Sequence, residues 1–307
     1  MNKSKTNPVS ALFLVLAAVI WGSAFVAQSV GMDYIGPFTF NAVRSLIGAL
    51  VLLPLVCARR SRASAKPSGA EKRRLWSTGI LCGLILTVAS NLQQIGLLYT
   101  TVGKSGFITA LYIILVPVLG IFLGKRTSLN TWISVALAVI GLYLLCMNEK
   151  LVLGRGDLLT VLCAVVFSFH ILTVDTRAYD LDGVAVSCIQ FLTCSVLSGI
   201  AMFITEHTSL QALWAARIPI LYAGVMSCGV AYTLQIVGQQ GVEPTLASLL
   251  MSLESVVAVL AGWILLGQVL TLREAIGCVV MFIAIVLAQL PGKSKGRSNG
   301  QTSGSIA

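Results

Sequence analysis

Apolar runs of about twenty residues recur along nearly the whole chain, and this recurrence constrains the fold more than any other feature. The chain has 307 residues, of which 57% are hydrophobic and only 10% are charged, against roughly 25% charged residues in an ordinary soluble domain. The connections between the runs are mostly short, so any function is expected to lie among the helices. The sequence predicts an all-α integral membrane protein whose ten transmembrane helices occupy 11–30, 37–56, 75–98, 105–123, 129–147, 158–174, 184–203, 218–237, 245–266 and 272–290.

The positive charge is distributed unevenly about these helices. If the amino terminus is cytoplasmic, fifteen of the 21 Lys and Arg residues fall on the cytoplasmic side, five fall on the other side, and Arg44 lies within the second helix. Cytoplasmic loops of membrane proteins carry such an excess, so both termini are predicted to be cytoplasmic. The densest cluster, 59–74, is expected to face anionic lipid headgroups rather than nucleic acid.

The two halves of the chain align weakly but repeatedly. Residues 18–23 align with 164–169, and residues 91–94 align with 232–235, at offsets between about 141 and 146. A repeat of five helices must re-enter the membrane from the opposite side, which predicts two inverted repeats and alternating exposure of one central site. The predicted organisation is a cytoplasmic tail at 1–10, a first repeat at 11–147, a linker at 148–156, a second repeat at 157–290 and a disordered cytoplasmic tail at 291–307.

Several short motifs in both halves indicate a family. They lie at 18–27, 36–44 and 92–101, and matching features return at 231–235 and 252–255. In their order and duplication, the chain resembles the drug/metabolite transporter superfamily, and within it the EamA-type exporters with two five-helix repeats. This resemblance implies a secondary transporter of a bacterial inner membrane that exports small polar metabolites, amino acids or drugs.

Three ionisable side chains within the predicted helices are candidates for function. Arg44 lies in an apolar stretch, where an arginine is costly, so it either contacts an anion in the cavity or is a structural tether. Glu254 lies near the predicted mid-membrane level, where it either exchanges a proton and couples transport to it or is an inter-helix hydrogen-bond partner. His170 is either a proton relay or a neutral imidazole that is hydrogen-bonded between helices.

The remaining candidates for substrate binding are neutral. Amide side chains can bind zwitterions or sugars without demanding one charge, although they also join helices to each other. The candidates are Asn91, Gln93, Gln94, Gln235, Gln239 and Gln240, and of these Asn91, Gln94 and Gln235 are the predicted substrate-binding residues. The resemblance further implies that aromatic side chains form walls of the cavity, and these are Trp21, Tyr112 and Tyr232.

Two other classes of function compete with transport. Gly103, Lys104, Ser105 and Gly106 spell a short motif that resembles the nucleophile site of rhomboid proteases, with His170 as a conceivable base. A scaffold without transport is the other alternative, which the repeat argues against. No Walker loop or metal-binding cluster is visible, so no cofactor is expected and gradients would supply the energy. The expected partners are a small-molecule substrate and the lipid bilayer, with a homodimer as an open possibility and nucleic acid excluded.

Overall fold

The protein is helical wherever regular structure is described. The computed structural model describes residues 7–62, 68–100, 102–125, 127–146, 154–266 and 271–289, so the predicted tail 291–307, most of the predicted linker 148–156 and residues 1–6 of the predicted tail 1–10 lie outside it. Within these ranges the elements are α1 (Pro8–Gly31), α2 (Pro37–Arg62), α3 (Gly69–Leu97), α4 (Val102–Ala110), α5 (Tyr112–Phe122), α6 (Leu129–Cys146), α7 (Arg155–Arg177), α8 (Gly183–Thr205), α9 (Leu210–Ala215), α10 (Arg217–Tyr222), the π-helix π1 (Ala223–Ala231), α11 (Tyr232–Gln239), α12 (Pro244–Met251), α13 (Leu253–Leu266) and α14 (Leu272–Gln289).

Eight stretches of helix among the described residues are long and apolar enough to cross a bilayer, and each coincides with a predicted span. They are α1, α2, α3, α4 with α5, α7, α8, α10 with π1 and α11, and α12 with α13. The other two predicted spans correspond to α6 and α14, which have 18 residues each. The all-α membrane fold is therefore confirmed, and the total of ten spans stays a prediction.

Large apolar side chains cover the outside of the helix bundle at the middle of the spans. Leu50, Val88, Ile140, Val196 and Val279 are all exposed. A contiguous apolar surface of this kind is unfavourable in water but suits contact with lipid chains. The middle of the bundle therefore faces the hydrocarbon region of a membrane.

Equivalent helices of the two halves pack side by side and run antiparallel. At one end of the α2–α8 pair, Arg59 forms an ion pair with Asp182 at 3.1 Å. At the other end, Glu206 accepts hydrogen bonds from the backbone N–H of Thr39 and from its hydroxyl, at 2.8 and 2.6 Å. The end of α2 thus contacts the start of α8, and the start of α2 contacts the end of α8. Because α2 and α8 are equivalent helices that run in opposite directions, the second repeat is inverted relative to the first.

The packing between the halves follows the same two-fold relation. Helix α3 packs along α7, and its counterpart, the α10–π1–α11 span, packs along α1. The α4–α5 span packs against α7, and its counterpart α12–α13 packs against α1. Helices α6 and α14 pack along each other. Each repeat therefore completes its packing with elements of the other.

The regular helix of two predicted spans is interrupted at one residue each, at equivalent positions of the two repeats, and the backbone at both residues keeps right-handed helical angles. The predicted span 105–123 breaks at Leu111, between α4 and α5, and the predicted span 245–266 breaks at Ser252, between α12 and α13. Near the second break, the Ser248 and Ser252 hydroxyls donate to backbone carbonyls three residues earlier, at 2.8 and 2.7 Å. Such bonds compete with the helical ladder and bend helices. The breaks lie about 141 residues apart, which matches the offset of the sequence repeat.

Glycine allows two of the helix contacts around the centre to be very close. A Cβ on Gly22 would lie 2.6 Å from the carbonyl oxygen of Glu254, and a Cβ on Gly83 would lie 2.8 Å from that of Gln190. Small residues at such crossings let two backbones touch. The contact at Gly22 fixes α1 against α13 next to the cavity.

Candidate functional site

A cavity lies in the middle of the bundle, between the two repeats. It encloses about 470 Å³ of space outside the protein atoms, including the part that is open to solvent. The cavity is lined by Trp21, Phe25, Gln28, Arg44, Gln93, Thr109, Tyr112, Phe167, Ile171, Ser227, Tyr232, Gln235, Met251 and Glu254.

Helix α1 contributes three of these side chains from one face. Trp21, Phe25 and Gln28 follow each other at spacings of four and three residues, so they lie along one side of the helix. The Nε1 of Trp21 and the Oε1 of Gln28 are buried without a hydrogen-bond partner among the described residues. This face therefore offers the cavity one donor and one acceptor.

Arg44 places a positive charge at the cavity. The residue is only 4% exposed, and its guanidinium carbon lies 5.6 Å from the centre of the Phe40 ring. No carboxylate of the described residues lies within ion-pair distance of it, and no hydrogen-bond acceptor among them was found. The predicted placement of Arg44 facing a cavity agrees with this geometry, and its role as a substrate contact stays a prediction.

Glu254 lies at the start of α13, immediately after the break at Ser252. Its Oε1 accepts a hydrogen bond of 3.0 Å from the hydroxyl of Tyr112, which begins α5 immediately after the break at Leu111. Both residues line the cavity and are buried. This hydrogen bond and a second one of 3.2 Å, from the Ser255 hydroxyl to the backbone carbonyl of Gly106, join the two interrupted spans.

Aromatic rings surround Tyr232 on the second-repeat side. The ring of Trp21 lies 4.7 Å from that of Tyr232 in an edge-on arrangement, and Phe191 contacts it in the same way at 5.3 Å. Phe167 stacks with Tyr232 at 6.5 Å. Trp21, Tyr112 and Tyr232 all line the cavity, and their role in binding a substrate stays a prediction.

Two further amides reach the cavity. Gln93 donates through Nε2 to the Thr109 hydroxyl at 3.2 Å, which joins α3 to α4. The Oε1 of Gln235 is buried without a hydrogen-bond partner among the described residues. Amide groups that lack a protein partner and face a cavity are free to bind a polar occupant.

The other two predicted amides lie between helices and do not line the cavity. Asn91 accepts a hydrogen bond from Nδ2 of Asn41 and donates to the Ser198 hydroxyl, both at 2.9 Å. Gln94 donates to the backbone carbonyl of Gln28 at 3.4 Å. These contacts tie α3 to α1, α2 and α8, and a role of Asn91 or Gln94 in binding stays a prediction.

His170 is fully buried between α7 and α8, outside the cavity lining. Its Nε2 lies 3.1 Å from the Oε1 of Gln190, and its Nδ1 has no hydrogen-bond partner among the described residues. The Ser105 hydroxyl is likewise buried without a partner, so Ser105 and His170 are not hydrogen-bonded to each other. The nucleophile and base that a rhomboid-like protease would need are therefore not paired.

Three polar residues of the cavity escaped the sequence analysis, for different reasons. Gln28 is one helical step beyond Trp21 and Phe25, so a search along that face would have found it. Thr109 lies three residues before Tyr112, at the same helical spacing. Ser227 lies in π1, where the helix has a wider turn than the α-helical spacing assumes. No α-helical pattern could have placed Ser227.

Ion pairs hold one end of the bundle together. At this basic end, which is defined by Arg59, Arg74 and Lys125, Arg59 pairs with Asp182, and Arg74 donates to Asp180 at 2.7 Å. The Arg74 guanidinium lowers the pKa of the Asp180 carboxyl below its usual value, so the pair stays charged at neutral pH. The loop after α7 is therefore bound to both α2 and α3.

The α4–α5 span is bound to α7 at both of its ends. At the basic end, Lys125 pairs with Asp175. At the opposite end, the Nζ of Lys104 lies 2.6 Å from Asp157, a carboxylate that is only 2% exposed and that also accepts a 2.7 Å bond from the Thr100 hydroxyl. Each half of the interrupted span thus has its own ion pair to the second repeat.

Comparisons with known proteins agree with this architecture. The sequence profile of the EamA-like transporter family matches the chain twice, at residues 9–147 and 154–290. An uncharacterized transporter of Archaeoglobus fulgidus is 27% identical over 281 residues, which cover 91% of this chain and 85% of that protein. The uncharacterized transporter YoaV of Bacillus subtilis is 22% identical, with 90% of this chain and 95% of YoaV covered. A crystal structure with 19% identity superposes with a TM-score of 0.76 over 93% of this chain and 98% of its own, which shows the fold.

Proposed function

Because the chain belongs to the EamA-like transporter family, we propose that this membrane transporter is secondary-active and exports small polar metabolites, amino acids among them, by alternating access. The observation that carries the proposal is the position of the cavity. Its walls come from both repeats, with Trp21 and Arg44 from the first and Tyr232 and Glu254 from the second. A movement of one repeat against the other would therefore change the access to this one site.

The interrupted spans supply the points at which such a movement can occur. The breaks at Leu111 and Ser252 lie at the level of the cavity, next to Tyr112 and Glu254. Discontinuous helices at a central site are typical of secondary transporters, where they form the binding site between the two repeats. The hydrogen bond from Tyr112 to Glu254 would have to adjust whenever either half moves.

Glu254 is the proposed site of proton coupling. It is the one carboxyl group among the residues that line the cavity, and an ionisable group within a membrane commonly marks a proton or ion path. A proton on Glu254 would remove its charge and change its bond with Tyr112. Protonation of Glu254 would in this way change the contact between the α4–α5 span and the α12–α13 span.

The proposed location is the inner membrane of a bacterium, with both termini in the cytoplasm. The basic end contains the last turn of α2, with Arg59, Arg60 and Arg62, and the start of α3. The start of α1 lies at this end too, where the backbone N–H of Asn7 donates to the carbonyl of Gly241. An excess of positive charge on the cytoplasmic side supports this orientation.

Untargeted metabolite profiling of cells and medium tests the proposal. Cells that produce the wild type are compared with cells that produce the Arg44→Ala, Glu254→Gln double variant at the same membrane abundance. Compounds that leave the cell only with the wild type would support export. Compounds that accumulate inside would make the protein an importer, and the absence of any difference would contradict transport.

A further inference from the structure

The guanidinium of Arg44 is a buried charge without a counter-charge in the described structure. The residue is 4% exposed, faces the cavity and rests on the ring of Phe40. A buried cation is strongly unfavourable unless an anion or several acceptors accompany it. Its position therefore calls for an acceptor that the occupant of the cavity supplies.

The backbone around Arg44 holds this charge in a fixed place. Arg44 lies on the second turn of α2, about 10 Å from the start of the helix. Its carbonyl oxygen packs so closely on π1 that a Cβ on Gly224 would come within 3.0 Å of it. A guanidinium on a backbone that is anchored in this way presents its planar set of donors to one part of the cavity.

The other groups of the cavity limit what kind of anion fits. Glu254 is the one carboxylic acid among the residues that line the cavity. It accepts a hydrogen bond from Tyr112 and forms no ion pair with Arg44. Gln235 and Gln28 are neutral and have unpaired oxygens. The lining thus offers one positive charge, so a group with two negative charges would keep one of them unpaired.

We propose that the transported molecule carries a single carboxylate group, which binds the guanidinium of Arg44. This inference rests on the proposed function, and it specifies the charge of the molecule that binds in the central cavity. A carboxylate has one negative charge and accepts two parallel N–H bonds from a guanidinium. The remainder of the molecule is polar, because Trp21 Nε1 and the amide oxygens of Gln28 and Gln235 have no hydrogen-bond partner among the described residues.

Profiling with single variants tests the charge class even while the substrate is unidentified. Cells that produce wild type, Arg44→Gln, Arg44→Lys or the control Arg60→Gln are compared; Arg60 is exposed at the far end of the same helix. We expect every compound that the wild type exports to carry a carboxylate. Its export should fall at least about tenfold with Arg44→Gln, fall less with Arg44→Lys and stay unchanged with Arg60→Gln.

Reconstituted protein then separates recognition of the carboxylate from a structural role of Arg44. Each exported acid and its carboxamide, which differ only in the charged group, compete for uptake into proteoliposomes. The wild type should favour the acid at least about tenfold, and this preference should disappear in Arg44→Gln. A preference that persists in Arg44→Gln, or exported compounds without a carboxylate, would overturn the inference while leaving transport in place.

Two further outcomes are distinguishable. If no compound moves with the wild type, the proposed function fails and the inference fails with it. If Arg44→Gln is absent from the membrane, Arg44→Lys provides the test, because it keeps the charge but loses the planar pair of donors. Arg44→Lys should then retain a preference for the acid that is weaker than that of the wild type, and an undiminished preference would contradict bidentate binding.

Discussion

At the scale of single residues, the contact between Tyr112 and Glu254 joins the one carboxyl group among the residues that line the cavity to the α4–α5 span. Each residue follows a break in its span, and the hydrogen bond between them is 3.0 Å long. Whether Glu254 accepts this bond as a carboxylate or as a protonated acid changes how strongly the two spans are held together. The pair therefore allows a chemical event to affect the arrangement of two helices.

Transport by Glu254→Gln should no longer respond to an imposed pH gradient, because a carboxamide does not take up or release a proton near neutral pH. The rate of export in proteoliposomes, measured with and without the gradient, checks this expectation; the accelerating effect of the gradient should fall at least about tenfold. Tyr112→Phe provides the matched comparison, since it keeps the carboxyl and should keep a response. An unchanged response in Glu254→Gln would remove this residue as the coupling site.

Gly22→Ala should destabilise the protein by about 1 to 3 kcal/mol, as overpacking commonly does. The new Cβ would lie 2.5 Å from the Cβ of Val257 and 2.6 Å from the carbonyl oxygen of Glu254, so α1 would have to move away from α13. Gly199→Ala is the control, because nothing lies within 4 Å of a Cβ there. Thermal unfolding in detergent should show a lower midpoint for Gly22→Ala alone, and equal midpoints would contradict the close contact.

Sequence reasoning reaches some of these residues and not others, for physical reasons. Arg44 and Glu254 are visible because a charge within an apolar run is costly and therefore rare. Gln28 and Gln94 are both amides in apolar helices, and only the packing decides that the first lines the cavity while the second binds a backbone carbonyl. The type of a side chain indicates which hydrogen bonds it can form, whereas the packing of the helices decides whether it forms them with the protein or faces the cavity.

At the scale of elements, the α4–α5 span differs from an ordinary transmembrane helix. It is interrupted at Leu111, and a lysine in α4 and a lysine just after α5 pair with the two ends of α7. Lys104 with Asp157 holds one half, and Lys125 with Asp175 holds the other. Opening at either end of the bundle is therefore expected to require that one of these pairs separates while the other persists.

Asp157→Asn should lower the stability by about 1.5 to 3 kcal/mol, which is the range for hydrogen bonds to charged groups. The carboxylate is buried and accepts from Lys104, Thr100 and the backbone N–H of Gly154. The double variant Lys104→Asp, Asp157→Lys should recover part of the loss, since it restores opposite charges. Thermal unfolding of the wild type, Asp157→Asn, the single variants Lys104→Asp and Asp157→Lys, and the double variant checks this. A double variant that loses at least as much stability as the two single variants together would argue against the pair.

The interruptions themselves were only partly accessible from the sequence. Ser248 and Ser252 can bond to their own helix, so a bend near them could have been foreseen. The break at Leu111 lies in the apolar run 110–116, and π1, which contains Ser227, packs against α2. Hydropathy detects that a segment crosses the membrane but is insensitive to the shape of its backbone.

At the scale of the whole molecule, the sequence predicted the architecture well because lipid imposes strict conditions on it. Helices that cross a bilayer must be apolar for about 20 residues, and this requirement is visible in a single sequence. The repeat offset also predicted which helices correspond. The contacts between the halves, such as those of Thr39 with Glu206 and of Arg59 with Asp182, join residues far apart in the chain and could not be derived from local patterns.

The orientation in the membrane can be checked by chemical labelling of single cysteines in a Cys57→Ser background, since Cys57 is the exposed cysteine of the described residues. His207→Cys lies at the end opposite the basic end and should react with a membrane-impermeant maleimide in intact cells. Arg62→Cys lies at the basic end and should react only after the cells are made permeable. The reverse pattern would place both termini outside the cytoplasm.

The antiparallel pairing of α2 with α8 also determines how the protein can be made. The ribosome completes α2 well over a hundred residues before α8 exists, so the first half enters the membrane with the faces that later bind the second half still uncovered. A nascent chain that stops between the repeats would keep these faces open to lipid and to other proteins, as incomplete folding intermediates do. Successful synthesis therefore depends on the late arrival of the second repeat, and a premature stop codon anywhere in it is expected to yield a product that the cell degrades rather than a half-sized transporter.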